Sequence, residues 1–442
     1  MIQYSQFSIQ RLHQRLFFLL LVLLPTQLGL HFWPQWAHLL GRRIDYLSPT
    51  LYVTDVLTIF VLLSWFVERF PRIMNHELGI MRKMRRKLSL SSFIIHNSLF
   101  TLLILFVVFN IWFATSPWVA VYKWVKVAEF VGLGWYIIKT RPDLSWVTFP
   151  LSIGVLYSSV LAITQFILQH SVGGPLWLLG ERSFTVTTPG VARLDVPQLL
   201  LRPYATFPHP NVLGGFLAVL LPVMMHNTKR KKLYDLLTIT VGLLALCITF
   251  SRSAWIVGGV AIALSSARIM NYEFRIMKKA LFAGFVLFII LYSLFMIQGS
   301  LTIQRTDESF ERRIELNQAA IRIWQHSPLV GAGLGNFLVE LPKFTDAREV
   351  NFLQPTHNIY LLLLSETGMV GLVLFLWLVW RGILGNADNK GNMRRISLIV
   401  LLVLGLVDHY PVTLQQGQLL LTVVIGLVLQ RHHNPYGHSH ES

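Results

Sequence analysis

Long apolar runs separated by shorter polar ones dominate the chain. Crossing about 30 Å of hydrocarbon takes about 17–25 apolar residues in a helix. Stretches of that kind run near Leu16–Phe32, Leu51–Val67, Phe93–Phe113, Trp118–Ile138, Trp146–Leu168, Phe207–Met225 and Leu233–Phe250. Others follow near Ala254–Ala267, Ala280–Ile297, Ile359–Trp380, Ile396–Val407 and Leu419–Leu429, the last two shorter. The pattern predicts an all-α fold, a polytopic transmembrane helix bundle of about 12 spans. Residues 1–442 then form a single membrane domain. The first span follows Arg11 and Arg15 with no small-residue cleavage site behind it, so it is expected to remain as an anchor.

The polar segments alternate in charge. With the N-terminus inside, every second loop is strongly basic, and roughly 24 of the 38 Lys and Arg fall on the inner side. Among them are Arg82 to Lys87, Lys229 to Lys232, Lys278, Lys279, Arg394 and Arg395. Both termini are then expected in the cytoplasm. Two long segments face outward, 170–206 and 299–356, and long loops usually carry function. In the second, Phe310, Ile314, Asn317, Ile321 and Trp324 share one face of an amphipathic helix from Ser309 to His326. Arg312, Arg313 and Arg322 flank that stripe, which suits a helix lying on headgroups or a surface helix with solvated charges.

Composition narrows the class. The chain is 54% hydrophobic and 13% charged, with a mean hydropathy of +0.55. So little charge cannot cover a water-soluble particle of this size, and disorder needs the opposite bias. The net charge of +17 raises nucleic acid as a partner, but cationic cytoplasmic loops explain it better. Cys247 is the only cysteine, which excludes an intrachain disulfide and a cysteine metal cluster. The tail histidines His432, His433, His438 and His440 have a metal-like composition but are short and terminal. No Walker loop, HExxH, G-x-S-x-G or Asp-x-Asp pair occurs.

The candidate chemistry sits where spans meet the outer surface. Arg202 opens Arg202-Pro203-Tyr204-Ala205-Thr206-Phe207-Pro208-His209-Pro210-Asn211, whose prolines enforce an extended approach to the sixth span. Asn211 can cap that helix, and a helix N-terminus beside an Arg is an anion site. A snorkelling interfacial Arg fits Arg202 equally well. Arg252, in Ser251-Arg252-Ser253-Ala254-Trp255, is pinned between two spans, where it either anchors at the interface or binds phosphate. After Pro328 comes Gly331-Ala332-Gly333-Leu334-Gly335-Asn336-Phe337, a tight turn whose amides could face an anion. His357 and Asn358 begin the tenth span, and His357 titrates in the neutral range. Glu366 lies nine residues deeper and is read as a packing or gating residue. Asp408 and His409 form a reserve acid/base pair. Lys123, Lys126 and Glu129 share a face of the fourth span, as an ion pair or as a cavity lining.

Taken in order, these pieces resemble the O-antigen ligase and O-antigen polymerase family of bacterial membrane glycosyltransferases. The resemblance rests on Arg202 to Asn211, Ser251 to Trp255, and Arg313 with its helix. It also rests on Pro328 to Phe337 and on His357-Asn358 through Glu366-x-Gly368-x-x-Gly371. The core runs over 202–384. Asn317 stands where the family shows an aromatic, which leaves Arg312 and Arg313 both open as the functional loop arginine.

The resemblance implies a metal-independent, inverting glycosyltransferase in the cell (inner or plasma) membrane, with no cofactor. It implies a glycan donor on undecaprenyl pyrophosphate and an acceptor sugar hydroxyl, on lipid A core for a ligase or on another lipid-linked glycan for a polymerase. Arg202, Arg252 and Arg313 would bind the pyrophosphate, and His357 would act as general base. Asn211, Asn358, Glu366 and Arg312 would support them. Arginine suits the first role because it stays charged and grips phosphate in a fork. The competing class is a transporter or flippase of lipid-linked glycans. It would also need spans and outer cations, but the chain shows no internal repeat.

Overall fold

The computed structural model describes residues 12–84, 90–195, 199–226, 232–266, 308–345, 353–384 and 389–430. The expected span at Ala280–Ile297, Arg85 to Lys87 of the basic run, and the histidine tail lie outside the described residues.

Long apolar stretches with few polar side chains leave the backbone to bond within itself, so helices dominate. The first eight helices are α1 (Leu12–Val22), α2 (Val53–Met84), α3 (Leu90–Trp112), α4 (Pro117–Thr140), α5 (Leu144–Leu168), α6 (Pro210–His226), α7 (Lys232–Ile248) and α8 (Arg252–Ser266). They are followed by α9 (Glu308–His326), α10 (Phe337–Phe344), α11 (Ile359–Leu384), α12 (Asn389–Leu404), α13 (Tyr410–Thr413) and α14 (Gln415–Val428). Among the described residues, α5 and α11 are long and apolar enough to cross a membrane, and six further apolar helices are shorter. Large apolar side chains such as Leu63, Ile104, Ile256 and Val373 are exposed around the bundle, as hydrocarbon surroundings allow.

The bundle core is one cluster. Phe216, Leu217 and Leu221 of α6 pack with Ala254 and Trp255 of α8, Leu398 and Leu401 of α12, and Leu420 and Val424 of α14. Small residues set the closest approaches. A Cβ on Gly258 would stand 2.9 Å from that of Ala218, so α6 and α8 meet through small surfaces. Inside the bundle, Lys126 of α4 bonds Asp55 of α2 and lies 3.2 Å from Glu129, and Gln415 of α14 joins Asp55 as well. Lys126 and Glu129 of the fourth helix are therefore part of an ion-paired junction of α2, α4 and α14, while Lys123 of the same face packs against Gly335 instead.

Two departures from the sequence reading concern the loops. The first apolar run does not stay helical to Phe32: α1 stops at Val22, ahead of Pro25, and Gly29–His31 is a strand. The chain is also not purely α. Among the described residues, six short strands make three two-stranded antiparallel sheets: β1 (Gly29–His31) with β4 (Thr50–Tyr52), β2 (His38–Leu39) with β3 (Arg42–Arg43), and β5 (Arg193–Asp195) with β6 (Leu199–Leu201). The first two sheets form a cap between α1 and α2. The third belongs to the loop before α6.

Candidate functional site

The loop before α6 is built around one glutamine. Gln165 near the end of α5 is fully buried and donates to Glu181 at 2.7 Å and to the Ala205 carbonyl at 3.1 Å. Its oxygen accepts the amides of Tyr204 and Ala205. Ala205 is held with φ 50, a left-handed conformation that costs a non-glycine residue and needs such clamping. Glu181 in turn accepts the amides of Val172 and Gly173. Arg202 is fixed by this framework. Its Nε donates to the Thr249 carbonyl at 2.8 Å and its Nη2 to the Asn211 side chain at 2.7 Å. Thr249 lies in the turn joining α7 to α8, and Phe250 beside it has φ 52. Arg252 is the first residue of α8, exposed, three positions beyond the carbonyl that Arg202 grips.

Asn211 does not cap α6. Its oxygen is given to Arg202, and its amide donates to Nδ1 of His209 at 3.1 Å, so the histidine is the cap. An accepting Nδ1 requires a ring without a proton on that atom. Burial and then the Arg202 charge drive the His209 pKa down to about 3, which keeps it so.

His209 belongs to a group of three histidines around one carboxylate. The His357 ring meets the His409 ring edge-on with centroids 5.2 Å apart. Asp408 accepts the His409 amide at 2.8 Å, and the Asn211 amide group approaches its other oxygen at 3.5 Å. Nδ1 of His409 lies 2.7 Å from the Thr413 hydroxyl, whose one proton goes to the His409 carbonyl. Nδ1 of His357 is buried and meets no hydrogen-bond partner among the described residues.

The electrostatics are those of a neutral histidine pair beside an ionised aspartate. Burial lowers the His357 pKa; Asp408 opposes that and Arg313 reinforces it. Burial likewise brings His409 down to about 4. Burial alone would raise the Asp408 carboxyl, but His409, His357, His209 and Arg313 outweigh it and hold it below its ordinary value. Arg313 of α9 thus acts on His357, Asp408 and His409, while its neighbour Arg312 is exposed. Asn317, one turn along, accepts from Thr356 beside His357.

The remaining expected residues have other placements. Asn358 caps α11, its side-chain oxygen accepting the amides of Tyr360 and Leu361 at 2.9 and 3.1 Å. Glu366 lies away from His357, at a break in α11 where Gly368 has φ 63. The glycine run clasps that break. The amides of Ala332 and Gly333 donate to the carbonyls of Ser365 and Glu366, and the Phe337 amide donates to the Glu366 carboxylate at 3.3 Å. Asn110 of α3 holds both sides, donating to the Val330 and Glu366 carbonyls and accepting the Leu334 amide. These amides are spent on the protein itself, so the run is a joint and presents no anion nest.

Tyr46 and Arg182 escaped the sequence reading. The Tyr46 ring meets His409 at 5.6 Å, and Arg182 donates to the Pro208 carbonyl at 2.7 Å. Neither sits in a motif, and only the folded loops bring them to the histidines.

Compared with known proteins, residues 237–376, about a third of the chain, match the O-antigen ligase family. The matched span contains Arg252, Arg313, His357, Asn358 and Glu366; Arg202, Asn211 and Asp408 lie outside it. No curated protein matches the chain. Over that span the chain is similar to the O-antigen ligases, a likeness that points to a membrane protein of polysaccharide biosynthesis and to glycosyltransferase activity of ligase or polymerase type.

Proposed function

We propose that this protein is a metal-independent, inverting glycosyltransferase of the O-antigen ligase type that works at the outer face of the cell membrane. Its donor is a glycan on undecaprenyl pyrophosphate, and its acceptor is a sugar hydroxyl on lipid A core or on a second lipid-linked glycan. The observation that carries this reading is the convergence of His357, Asp408 and His409 with Arg313 and the Arg202–Asn211 pair at one end of the bundle.

His357 is the general base. Its lowered pKa keeps it neutral at pH 7, so a ring nitrogen can take the acceptor proton as the oxygen attacks the anomeric carbon. The bond from that carbon to the pyrophosphate oxygen breaks, and undecaprenyl pyrophosphate leaves with its charge held by arginine. Attack from the side opposite the leaving group inverts the anomeric centre. Arg202, Arg252 and Arg313 supply the fixed positive charge that a metal would otherwise provide. Asp408 stabilises the imidazolium that forms on His357, because its carboxylate stays ionised beside it. Asn211 holds Arg202, and Asn358 fixes the start of the helix that carries His357.

Donor binding and turnover, measured separately on His357→Ala and His357→Gln in proteoliposomes, test the assignment. Donor affinity should survive in both, and turnover should fall about 10²–10⁴-fold in both, because glutamine cannot take a proton. Substantial turnover by His357→Gln would remove the base and leave the arginines as the main catalytic groups.

A further inference from the structure

This inference rests on the glycosyltransferase reading and concerns the cap between α1 and α2, which meets the histidines through Tyr46. The cap between α1 and α2 is a stiff platform. In it β2 and β3 pair with His38 opposite Arg43 and Leu39 opposite Arg42. Leu40 and Gly41 between them have φ 50 and 76, the left-handed pair that a two-residue hairpin turn demands. Ala37, Ile44 and Leu47 are buried in one cluster with Leu316, Ala320 and Phe337 of α9 and α10. The Ile44 amide bonds the Ala37 carbonyl at 3.0 Å, and the Thr50 amide donates to the Tyr122 hydroxyl of α4 at 3.1 Å.

On this platform Trp33 stacks with His31, centroids 5.6 Å apart and planes 12° from parallel. The Arg43 guanidinium lies 5.3 Å from the centroid of the same indole. A guanidinium held against an indole is steadied by cation–π attraction while its N–H donors can still serve a bidentate anion. Arg42 and Arg43 are exposed, and Asp45 is the one carboxylate in residues 29–52. Three residues after Arg43, the Tyr46 ring touches His409. That is at most about 11 Å of chain. Arg182, also exposed, acts on the same Tyr46. The basic hairpin therefore ends against the histidine pair, while Arg202 reaches that pair through Asn211 and Asp408 from α6.

We infer that the cap is an acceptor subsite: Arg42 and Arg43 bind a phosphate or carboxylate on the acceptor glycan and so present its hydroxyl to His357. With Arg202, Arg252 and Arg313 assigned to the donor pyrophosphate, the arginines of the hairpin are left for the second substrate.

The test uses the full-length protein in nanodiscs of zwitterionic lipid. The probes are a synthetic disaccharide bearing one phosphomonoester and the same disaccharide dephosphorylated. The phosphorylated probe should bind at least about 10-fold tighter, since hydrogen bonds between two charged groups are the strong ones. The double variant Arg42→Ala, Arg43→Ala should erase that preference, and Arg42→Lys, Arg43→Lys should keep part of it. Binding is read without transfer, so a failed glycosyltransferase assay does not bear on this result. Where transfer runs, the double variant should raise KM for a phosphorylated acceptor about 10-fold and leave kcat and the donor KM unchanged. Equal binding of the two probes to the wild type overturns the inference, as does a preference that survives the alanine variant. So does a variant whose only loss is adhesion to anionic-lipid vesicles, because the arginines would then serve headgroups. An unchanged thermal midpoint in the double variant shows that the cap still folds.

Discussion

Replacing Gly215 by alanine tests the geometry of the site without touching any group assigned to chemistry. Gly215 lies in the second turn of α6, five residues after its start. A Cβ there would overlap the Tyr410 hydroxyl and stand 2.6 Å from its Cζ, where ordinary contact begins at 3.4 Å. The ring would have to retreat by the difference, about 0.8 Å at Cζ and more at the hydroxyl. It has little room to do so. Tyr410 is 2% exposed, and its own backbone is wedged against Gly417, where a Cβ would stand 2.7 Å from the Tyr410 carbonyl carbon. The strain must then pass to the neighbours in the chain, His409 and Asp408. Overpacking of this kind costs about 1–3 kcal/mol of stability. A displacement near 1 Å in a catalytic constellation costs about 10²-fold in rate. Gly215→Ala should therefore lower transfer about 100-fold in proteoliposomes and reduce the thermal midpoint, while donor binding changes little. Gly134→Ala is the control, because its Cβ would meet only the Thr422 methyl, at an ordinary 3.8 Å. A Gly215→Ala protein with normal rate and normal midpoint would refute the packing of the Asp408–Tyr410 corner on α6.

Transfer should persist through pH 6.5 and fall only at more acidic pH, because His357 must be unprotonated to act and burial lowers its pKa below 6.5; a rate already halved at or above pH 6.5 would refute that lowering. Stability should decline as pH falls through 6.5. The unfolded chain protonates its histidines at 6.5, whereas folded His209 and His409 wait until about 3 and about 4, so the unfolded state binds more protons from 6.5 down to 4. Thermal midpoints at pH 7.5 and 5 check this. Arg202→Lys should lose most transfer, since one ammonium cannot reach both the Thr249 carbonyl and Asn211 as the guanidinium does; wild-type activity in that variant would argue against a role for its fork. Reporter fusions after Lys87 and after Thr345 should report opposite sides of the membrane, and equal signals would invert the assignment of outer and inner ends.

Much of the bundle was legible because apolar runs of bilayer length have few folded alternatives. The runs at Trp146–Leu168 and Ile359–Trp380 lie within α5 and α11, and the amphipathic stripe from Ser309 to His326 lies within α9. The failures are local competitions. Pro25 and Gly29 end the first run early, although its hydropathy continues to Phe32. The cap strands are two or three residues long, too short for an alternation to register. The glycine run was read for its amides, but where those amides point depends on Ser365, Glu366 and Asn110, distant in sequence. Of the histidine group, His357 announced itself by opening a span after a long loop. Its contacts with His409, Asp408 and Arg313 join segments that only packing brings together.

The clasp at the break in α11 also changes how sequence variation in this chain should be interpreted. Gly331, Gly333, Gly335 and Gly368 all have positive φ, and a Cβ on any of them would run into Glu366, Ala114, Lys123 or Leu329. Asn110 and Glu366 complete the same joint. Selection would hold all six positions as tightly as the arginines and the histidine, without any of them touching a sugar. A saturation screen that scored only activity would return one block of intolerant positions and could not divide it. Scoring abundance at the membrane beside activity would: joint residues should lose both together, while His357 and Arg252 should lose activity alone.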